Sequence, residues 1–236
     1  MTTWIVWLIL IIAAYFLGSL PLSYLVAKAR GIDLISDGTR QTGAGNLWRT
    51  TSRKVGLAIG IFDFLKGLIM VWIAQTQGMD VAQQIAVGLA TIVGHNWPVF
   101  LRFHGGRGAA TALGIVIIVP SINDISPWPA IIAVCIVVIG SVVIRSSPLP
   151  VIVGAASLPL TNWAFREELA VIMAYLAMVL ILVIKRLTAQ PAVKPLPTGM
   201  GKVLLNRLLF DRDIRDKKLW MSRKSIDPQK LLDDAE

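Results

Sequence analysis

Two polar, glycine-rich segments interrupt an otherwise apolar chain, and the first spans residues 38–49. Its sequence is Gly-Thr-Arg-Gln-Thr-Gly-Ala-Gly-Asn-Leu-Trp-Arg. Glycines let a bound group approach the backbone closely and leave N–H donors exposed, which suits an anion. Thr39 and Asn46 add neutral polar groups, and Arg40 and Arg49 add guanidinium groups that can hold a phosphate through two hydrogen bonds. The segment indicates anion binding, although an ordinary solvated loop would have a similar composition.

The second polar segment, residues 94–111, places the glycine-rich stretch Gly105–Gly108 directly before an apolar, helix-like run. The first turn of a helix offers free N–H groups and a favourable dipole to an anion, and Arg107 adds a positive charge there. The pattern predicts a phosphate site. It is not a P-loop, because the Gly-Lys-Ser/Thr spacing is absent. His95 lies in the same segment as a candidate for proton transfer or for a structural hydrogen bond.

Asp63 and Lys66 stand three residues apart inside an apolar segment, which places them on one face of a helix. Charged side chains are costly within a membrane, so each is expected to have a partner or to face a polar interior. We predict an ion pair between Asp63 and Lys66. The two charges either neutralise only each other, or the pair also contacts and orients residues of the two polar segments.

The elements that position these residues are predicted to be transmembrane helices. Of the 236 residues, 55% are hydrophobic and only 16% are charged, whereas soluble proteins carry roughly 25% charged residues. Membrane spans need about 20 apolar residues each, although several segments here are shorter. We therefore expect an all-α, polytopic integral membrane protein with about seven spans, at residues 4–27, 55–74, 81–93, 109–120, 130–144, 150–163 and 169–184.

Basic residues predict the orientation of the chain. Of the 23 Lys and Arg residues, six lie between Lys28 and Lys54 and twelve between Lys185 and Glu236. Because cytoplasmic loops are enriched in Lys and Arg, we expect the N-terminus outside and the C-terminus in the cytoplasm. Residues 1–186 would form the transmembrane domain. Residues 187–236 would form a basic tail, partly disordered, whose stretch Val203–Phe210 is amphipathic enough to lie on the membrane surface.

Composition also argues against several classes of function. A net charge of +9 would suit nucleic-acid binding in a soluble protein, but in a membrane protein it marks cytoplasmic loops and attracts anionic headgroups. The chain has one cysteine, Cys135, and two histidines, which excludes an internal disulfide and a Cys/His metal cluster. We expect no cofactor, no metal and no nucleic acid; the oligomeric state stays open.

At the two polar segments the chain resembles the bacterial acyl-phosphate:glycerol-3-phosphate acyltransferases, the PlsY family. Residues 94–111 are similar to the family motif Gly-His-Asn-Phe-Pro-Val-Phe-Leu-x-Phe-x-Gly-Gly-Lys-Gly-x-Ala-Thr, with Trp97 in place of Phe and Arg107 in place of Lys. The first segment departs further, since Arg40 replaces a glycine and Gln41 an asparagine. The family's His-Arg-x-Asn-Ile motif after the last span is not recognisable after Lys185.

The resemblance implies transfer of a fatty acyl group from acyl phosphate to glycerol 3-phosphate, giving lysophosphatidic acid and phosphate in the inner membrane. It implies catalytic roles for His95, Asn96 and Thr39, with His95 favoured as a positioning residue. Asp63 and Lys66 would support them. The residues expected to bind substrate phosphate are Asn46, Arg49, Gly105, Gly106, Arg107, Gly108 and Thr111.

Two other functions fit parts of the sequence. The bulk and charge of Arg40 suggest a relative that acylates a different phosphorylated acceptor. Charges within a span, such as Asp63 and Lys66, are also compatible with a transporter or a lipid-binding membrane protein. No internal repeat is visible, and the polar residues gather at one face, which favours the enzyme.

Overall fold

The computed structural model describes residues 3–188 and 199–222, and the regular structure in these ranges is entirely helical. The all-α prediction is confirmed. The helices are α1 (Thr3–Ser19), α2 (Leu22–Lys28), α3 (Ala44–Thr50), α4 (Arg53–Thr76), α5 (Val81–Asn96), α6 (Ala109–Ile122), α7 (Trp128–Ile144), α8 (Pro148–Ala164), α9 (Leu169–Leu187), α10 (Met200–Phe210) and α11 (Lys217–Ser222), with a 3₁₀ turn at Val99–Leu101 between α5 and α6.

Three helical segments are long and apolar enough to cross a membrane, namely Thr3–Lys28, Arg53–Thr76 and Leu169–Leu187. The shorter helices α6 and α7 are apolar as well. Each of the seven predicted spans coincides with a helix or, for the first, with α1 and α2 together. Large apolar side chains such as Val142 and Val143 are more than 70% exposed, which suits contact with lipid. The number of crossings and their orientation stay predictions.

The first predicted span is divided at Leu20 and Pro21, where the chain leaves α1 and begins α2. Proline lacks the N–H that would continue the helix, so carbonyl groups at the end of α1 lose their usual partners. The ammonium of Lys66 donates to the carbonyl oxygens of Gly18, at 3.3 Å, and of Leu20, at 2.8 Å. A charged residue in α4 therefore supplies hydrogen-bond donors to the carbonyl groups at the break between α1 and α2.

Small residues bring the helices that carry the polar segments into close contact. Gly18 of α1 lies against the backbone of α5 at Thr91, and Gly94 of α5 lies against Tyr15. Gly67 of α4 similarly meets the backbone of Thr111 in α6. A side chain at any of these glycines would collide with backbone, so the contacts fix how α1, α4, α5 and α6 are placed relative to one another.

The remaining helices complete one side of the bundle. Helix α7 packs on α8 and α8 on α9, and α9 also contacts α5. Their buried residues, including Leu158, Tyr175 and Met178, form one apolar core with Ile92 and Ile115 of α5 and α6. This core holds the end of α7, the start of α8 and the end of α9 at the same face as the glycine-rich start of α6.

The segment predicted as a loop between the first two spans contains a helix that the sequence did not predict. Helix α3 begins after Gly43 and packs on α4, where Gly56 lies directly against the backbone of Trp48. Ser52 then caps α4, because its hydroxyl accepts a hydrogen bond from the N–H of Val55. The polar segment 38–49 is therefore held against α4, one of the predicted spans, through helix α3.

The chain beyond α9, residues 199–222 and hereafter the C-terminal segment, folds back on the bundle. Arg186 of α9 donates hydrogen bonds to the carbonyl oxygens of Leu208 and Pro148, at 3.0 and 2.6 Å. Helix α10 includes the predicted amphipathic stretch, and its exposed Leu204 and Leu205 are compatible with the predicted membrane contact. Residues 211–222, predicted to be partly disordered, include helix α11. Residues 223–236 lie outside the described part.

Candidate active site

The two polar segments meet at one cavity of about 650 Å³. The hydroxyl of Thr42 donates to the carbonyl oxygen of His104 at 3.0 Å, and Gly43 lies against Gly106. The cavity also takes residues from four other parts of the chain: α4, the turn between α7 and α8, the end of α9, and the C-terminal segment. The described residues with ionisable or hydroxyl side chains in its wall are Thr39, Arg49, Asp63, His95, Arg107, Ser141, Arg145, Ser146, Ser147, Arg186, Asp211, Arg212 and Lys217.

Three glycines give the start of α6 its shape. A side chain at Gly105 would collide with the carbonyl oxygens of His95 and Asn96, and one at Gly106 with the imidazole of His95. Gly108, the residue before α6, has φ +69°, a left-handed conformation that glycine adopts at little cost. Gly108 lines the cavity, whereas Gly105 and Gly106 are buried behind it and place the backbone.

Arg107 is half-buried in the cavity wall and is held by two other parts of the chain. Its Nη1 donates to the carbonyl oxygen of Lys185 at 2.7 Å. Its Nε lies 2.8 and 3.1 Å from the two carboxylate oxygens of Asp211. The predicted phosphate-binding cation is therefore in a defined orientation at the N-terminus of α6, where the helix dipole also favours an anion.

Asp63 joins His95 and Lys66 into a buried polar group. One oxygen of its carboxylate lies 3.3 Å from Lys66 Nζ and 3.5 Å from His95 Nδ1. All three side chains are less than a tenth exposed, yet Asp63 and His95 reach the cavity wall. The predicted pair is thus present, and it contacts His95 directly. This arrangement fixes the imidazole ring so that its Nε2 points at Gly106.

In the first polar segment, Thr39, Asn46 and Arg49 all lie in the cavity wall. The amide group of Asn46, however, is already used in hydrogen bonds with the backbone. Its Nδ2 donates to the carbonyl oxygens of Leu34 and Asp37, and its Oδ1 accepts the N–H of Thr39. Because both amide N–H groups are used by backbone, the geometry does not support direct phosphate binding by Asn46. Its contacts instead hold the segment in shape.

Asn96 and Thr111 do not line the cavity, although both were predicted as site residues. Their side chains are fully buried and, within the described part of the chain, make no hydrogen bond. Asn96 lies against Gly108, and Thr111 lies against Gly67 at the contact between α4 and α6. Neither position supports the predicted direct contact with substrate. Asn96 thus stands directly behind the glycine-rich wall, whereas Thr111 belongs to a helix contact.

Several residues in or beside the cavity wall were missed by the sequence reasoning. Lys185 and Arg186 are buried at the end of α9, and the ammonium of Lys185 donates to the carbonyl oxygen of Asn96 and lies over the Trp97 ring, 5.0 Å from its centroid. Ser141, in the last turn of α7, and Arg145, directly after that helix, also line the cavity. All four residues lie at or near the ends of spans that are predicted to face the cytoplasm. This shared location is the feature of the sequence that could have identified them as site residues.

An apolar groove of about 220 Å³ adjoins the polar cavity between α6, α7, α8 and α9. The two spaces share Ala109, Ala110 and Val151. Deeper in the bundle the groove is lined by residues such as Leu113 and Met178. A molecule with an anionic head and an apolar tail could therefore place its head among the arginines and its tail among the helices.

The fold and the cavity together define an integral membrane protein with a basic cavity at one end of its helical bundle. Comparison with known proteins gives the family. The model of the glycerol-3-phosphate acyltransferase family matches residues 8–190. The chain belongs to this family and is an acyltransferase acting on glycerol 3-phosphate.

Individual relatives agree with this assignment. Glycerol-3-phosphate acyltransferase 4 of Dehalococcoides mccartyi is 37% identical over 93% of this chain and 95% of its own length. A glycerol-3-phosphate acyltransferase of Geotalea daltonii is 43% identical over 64% of this chain and 75% of its own length. The crystal structure of PlsY, an integral membrane glycerol 3-phosphate acyltransferase, in its glycerol 3-phosphate form aligns with a TM-score of 0.68 and 32% identity, covering 76% of this chain and 88% of PlsY.

Proposed function

We propose that the acyl donor is an acyl phosphate and that the cavity holds the phosphate groups of both substrates. The observation that carries this proposal is the junction at Ala109, Ala110 and Val151, where a basic cavity opens into an apolar groove. A fatty acyl phosphate has the matching distribution of charge and apolar surface. Glycerol 3-phosphate, which is small and fully polar, needs only the cavity.

Arg107 and the start of α6 bind one phosphate in this proposal, and Thr39 and Arg49 bind the other. The hydroxyl oxygen of glycerol 3-phosphate attacks the carbonyl carbon of the donor, and the C–O bond to phosphate then breaks. The hydroxyl proton moves to a phosphate oxygen, so the products are lysophosphatidic acid and inorganic phosphate. Because phosphate is a good leaving group, positioning and charge stabilisation provide most of the acceleration.

The proposed role of His95 is to hold the glycine-rich wall rather than to remove a proton. Its Nδ1 faces Asp63 and its Nε2 faces Gly106, so both ring nitrogens are directed at protein. We expect His95→Gln to lower kcat about tenfold and to leave the acidic limb of the pH–rate profile in place, because general bases contribute roughly 10²–10⁴-fold. Loss of that limb together with a larger fall in kcat would assign the base to His95.

The apolar groove is proposed to hold the acyl chain. Leu113 lines it and is only half-buried, so a larger side chain there can extend into the groove without replacing core volume. We expect Leu113→Trp to lower kcat/KM about tenfold for a sixteen-carbon acyl phosphate but less than twofold for a ten-carbon one, because each lost CH₂ contact is worth roughly 0.8 kcal/mol. Ile117→Trp, on the exposed surface of the same helix, is the control. Equal losses for both donors would place the chain elsewhere.

One assay tests the proposed reaction as a whole. Detergent-purified protein is given acyl phosphate and a panel of phosphorylated acceptors, and inorganic phosphate and lysophospholipid are measured together. Glycerol 3-phosphate is expected to be the preferred acceptor with one phosphate released per acyl transfer. The structure gives no support to a role for Arg40 in acceptor choice, since its Nε donates to the carbonyl oxygen of Ser36 and the residue lies outside the cavity wall. Preference for another acceptor would contradict the proposal.

The basic end of the bundle is proposed to face the cytoplasm of a bacterial inner membrane, with the N-terminus outside. This orientation places Arg49, Arg107 and Arg145 where water-soluble glycerol 3-phosphate is made available and where positive charge is favoured. Single cysteines provide the test in a Cys135→Ser background. A cysteine replacing Lys202 should react with a membrane-impermeant maleimide only in inverted vesicles, and one replacing Asp124 only in right-side-out spheroplasts. The reverse labelling pattern would invert the topology.

A further inference from the structure

The C-terminal segment lies beyond the family match, which ends at residue 190, yet it forms part of the cavity. Residues 199–222 contribute Asp211, Arg212 and Lys217 to its wall. The alignment with the relative from Dehalococcoides mccartyi covers 93% of this chain, too large a share to end at residue 190. The segment therefore lies outside the part that the family model matches, although the similarity to this relative extends into it.

Asp211 is the residue of this segment that contacts the proposed phosphate site. Both of its carboxylate oxygens lie within 3.1 Å of Arg107 Nε, and the two side chains are only 15% and 16% exposed. Asp211 ends α10 in a left-handed conformation with φ +57°, and its N–H donates to the carbonyl oxygen of Arg207 at 3.0 Å. The position of the carboxylate is thus fixed by backbone as well as by charge.

A second ion pair fastens the same turn without contacting the cavity. Arg207 Nε lies 2.5 Å from Asp213 Oδ1, and Arg207 Nη1 donates to the carbonyl oxygen of Leu187 at 2.7 Å. Neither Arg207 nor Asp213 lines the cavity. The turn after α10 would therefore remain attached to α9 if Asp211 lost its charge.

The effect of the Asp211–Arg107 contact depends on which basic residue stands at position 107. The PlsY family motif has lysine where this chain has Arg107. A lysine presents all its donors from one atom, whereas a guanidinium presents donors along separate edges of a rigid plane. Asp211 and the carbonyl oxygen of Lys185 use Nε and one Nη1 donor. Among residues 3–188 and 199–222, Arg107 makes no other hydrogen bond, so its remaining N–H groups are held in one direction and can donate to a ligand.

We propose that Asp211 is a positioning residue that orients the guanidinium of Arg107 for the substrate phosphate, and that the C-terminal segment therefore belongs to the active site. The inference rests on the proposed function, in which Arg107 binds phosphate. If this inference is right, the contribution of Asp211 to activity depends on having arginine, rather than lysine, at position 107. With lysine at position 107, the Asp211 carboxylate would have no separate edge to occupy and would compete with the substrate for the single ammonium group.

A double-mutant cycle of purified full-length protein tests this dependence. Asp211→Asn keeps the size of the side chain but removes its charge. With Arg107 present, we expect it to lower kcat/KM about tenfold, mainly through KM of the phosphorylated substrate, because an oriented charge-assisted pair is lost. In the Arg107→Lys background, the same change should cause no loss or a gain of about threefold, because the competing carboxylate is gone.

Asp213→Asn is the matched control, since it weakens the same turn but does not touch Arg107. It should change kcat/KM by the same factor in both backgrounds. A loss on Asp211→Asn that is equal in the two backgrounds, or the absence of any loss when Arg107 is present, would overturn the positioning role. The Arg107→Ala variant distinguishes failure of this inference from failure of the proposed function. Full activity of Arg107→Ala would contradict the proposed phosphate site itself. If Arg107→Ala is inactive but the effects of Asp211→Asn and Arg107→Lys are additive, only the role of Asp211 is refuted.

Discussion

Arg107→Ala is expected to lower kcat/KM for acyl transfer about 10²–10³-fold, which is the usual effect of removing one preorganised charged donor from a transition state. The guanidinium stands at the N-terminus of α6, beside the left-handed Gly108, and is anchored by Asp211 and Lys185. In the proposed function, this charge stabilises the negative charge that increases on the phosphate leaving group. The measurement is phosphate release by purified variant and wild-type protein at saturating and limiting substrate.

The control for this prediction is Arg102→Ala, in the same segment. Arg102 is exposed and lies outside the cavity wall, so its loss should change the rate less than twofold if long-range charge contributes little. Elution of both variants as wild-type particles in size-exclusion chromatography would show that folding is retained. A well-folded Arg107→Ala protein with undiminished turnover would exclude α6 as the phosphate site.

Lys66→Ala should produce the largest loss of stability, about 3–5 kcal/mol, because removal of one partner leaves a buried charge uncompensated. The ammonium of Lys66 pairs with Asp63 and donates to the carbonyl oxygens of Gly18 and Leu20. Without it, His95 is the one partner left to the Asp63 carboxylate within the described part of the chain, and the break between α1 and α2 loses the donor that joins it to α4. Thermal unfolding in detergent, followed by loss of soluble monodisperse protein, measures the effect.

Lys54→Ala provides the comparison on the same helix. Lys54 is exposed in the first turn of α4, so its removal should change stability by less than about 0.5 kcal/mol, as for an ordinary surface residue. Lys66→Ala together with Asp63→Asn should recover part of the loss, since the pair of charges is then removed together. Equal unfolding temperatures for Lys66→Ala and wild-type protein would mean that the break in α1–α2 is held by other contacts.

The two polar segments and the membrane class could be predicted from sequence because both depend on local composition. Apolar runs long enough for a bilayer appear directly as helices such as α4 and α9. The glycines of residues 105–108 similarly predicted a backbone able to surround an anion, and the structure places Gly108 and Arg107 at the cavity. Pairing of Asp63 with Lys66 followed from helical spacing and the cost of burying charge.

Other features were decided only when distant parts of the chain came together. The amide of Asn46 is fully engaged by the backbone of its own segment, and Asn96 and Thr111 face helix contacts, although all three belong to the segments that suggested the site. Sequence locates a segment but not the direction of each side chain. That direction depends on which helices approach closely, here through Gly67 and Gly108.

By itself, the sequence determined a helical membrane protein with two polar, glycine-rich segments, because hydropathy, charge and glycine content act within about twenty residues. Only the tertiary structure decided that Asp63 also contacts His95, that the end of α9 adds Arg186 to the cavity wall, and that Asp211 reaches Arg107 across 104 positions of the chain. Those contacts join residues far apart in sequence. Their partners are chosen by the packing of the bundle, which no local pattern encodes.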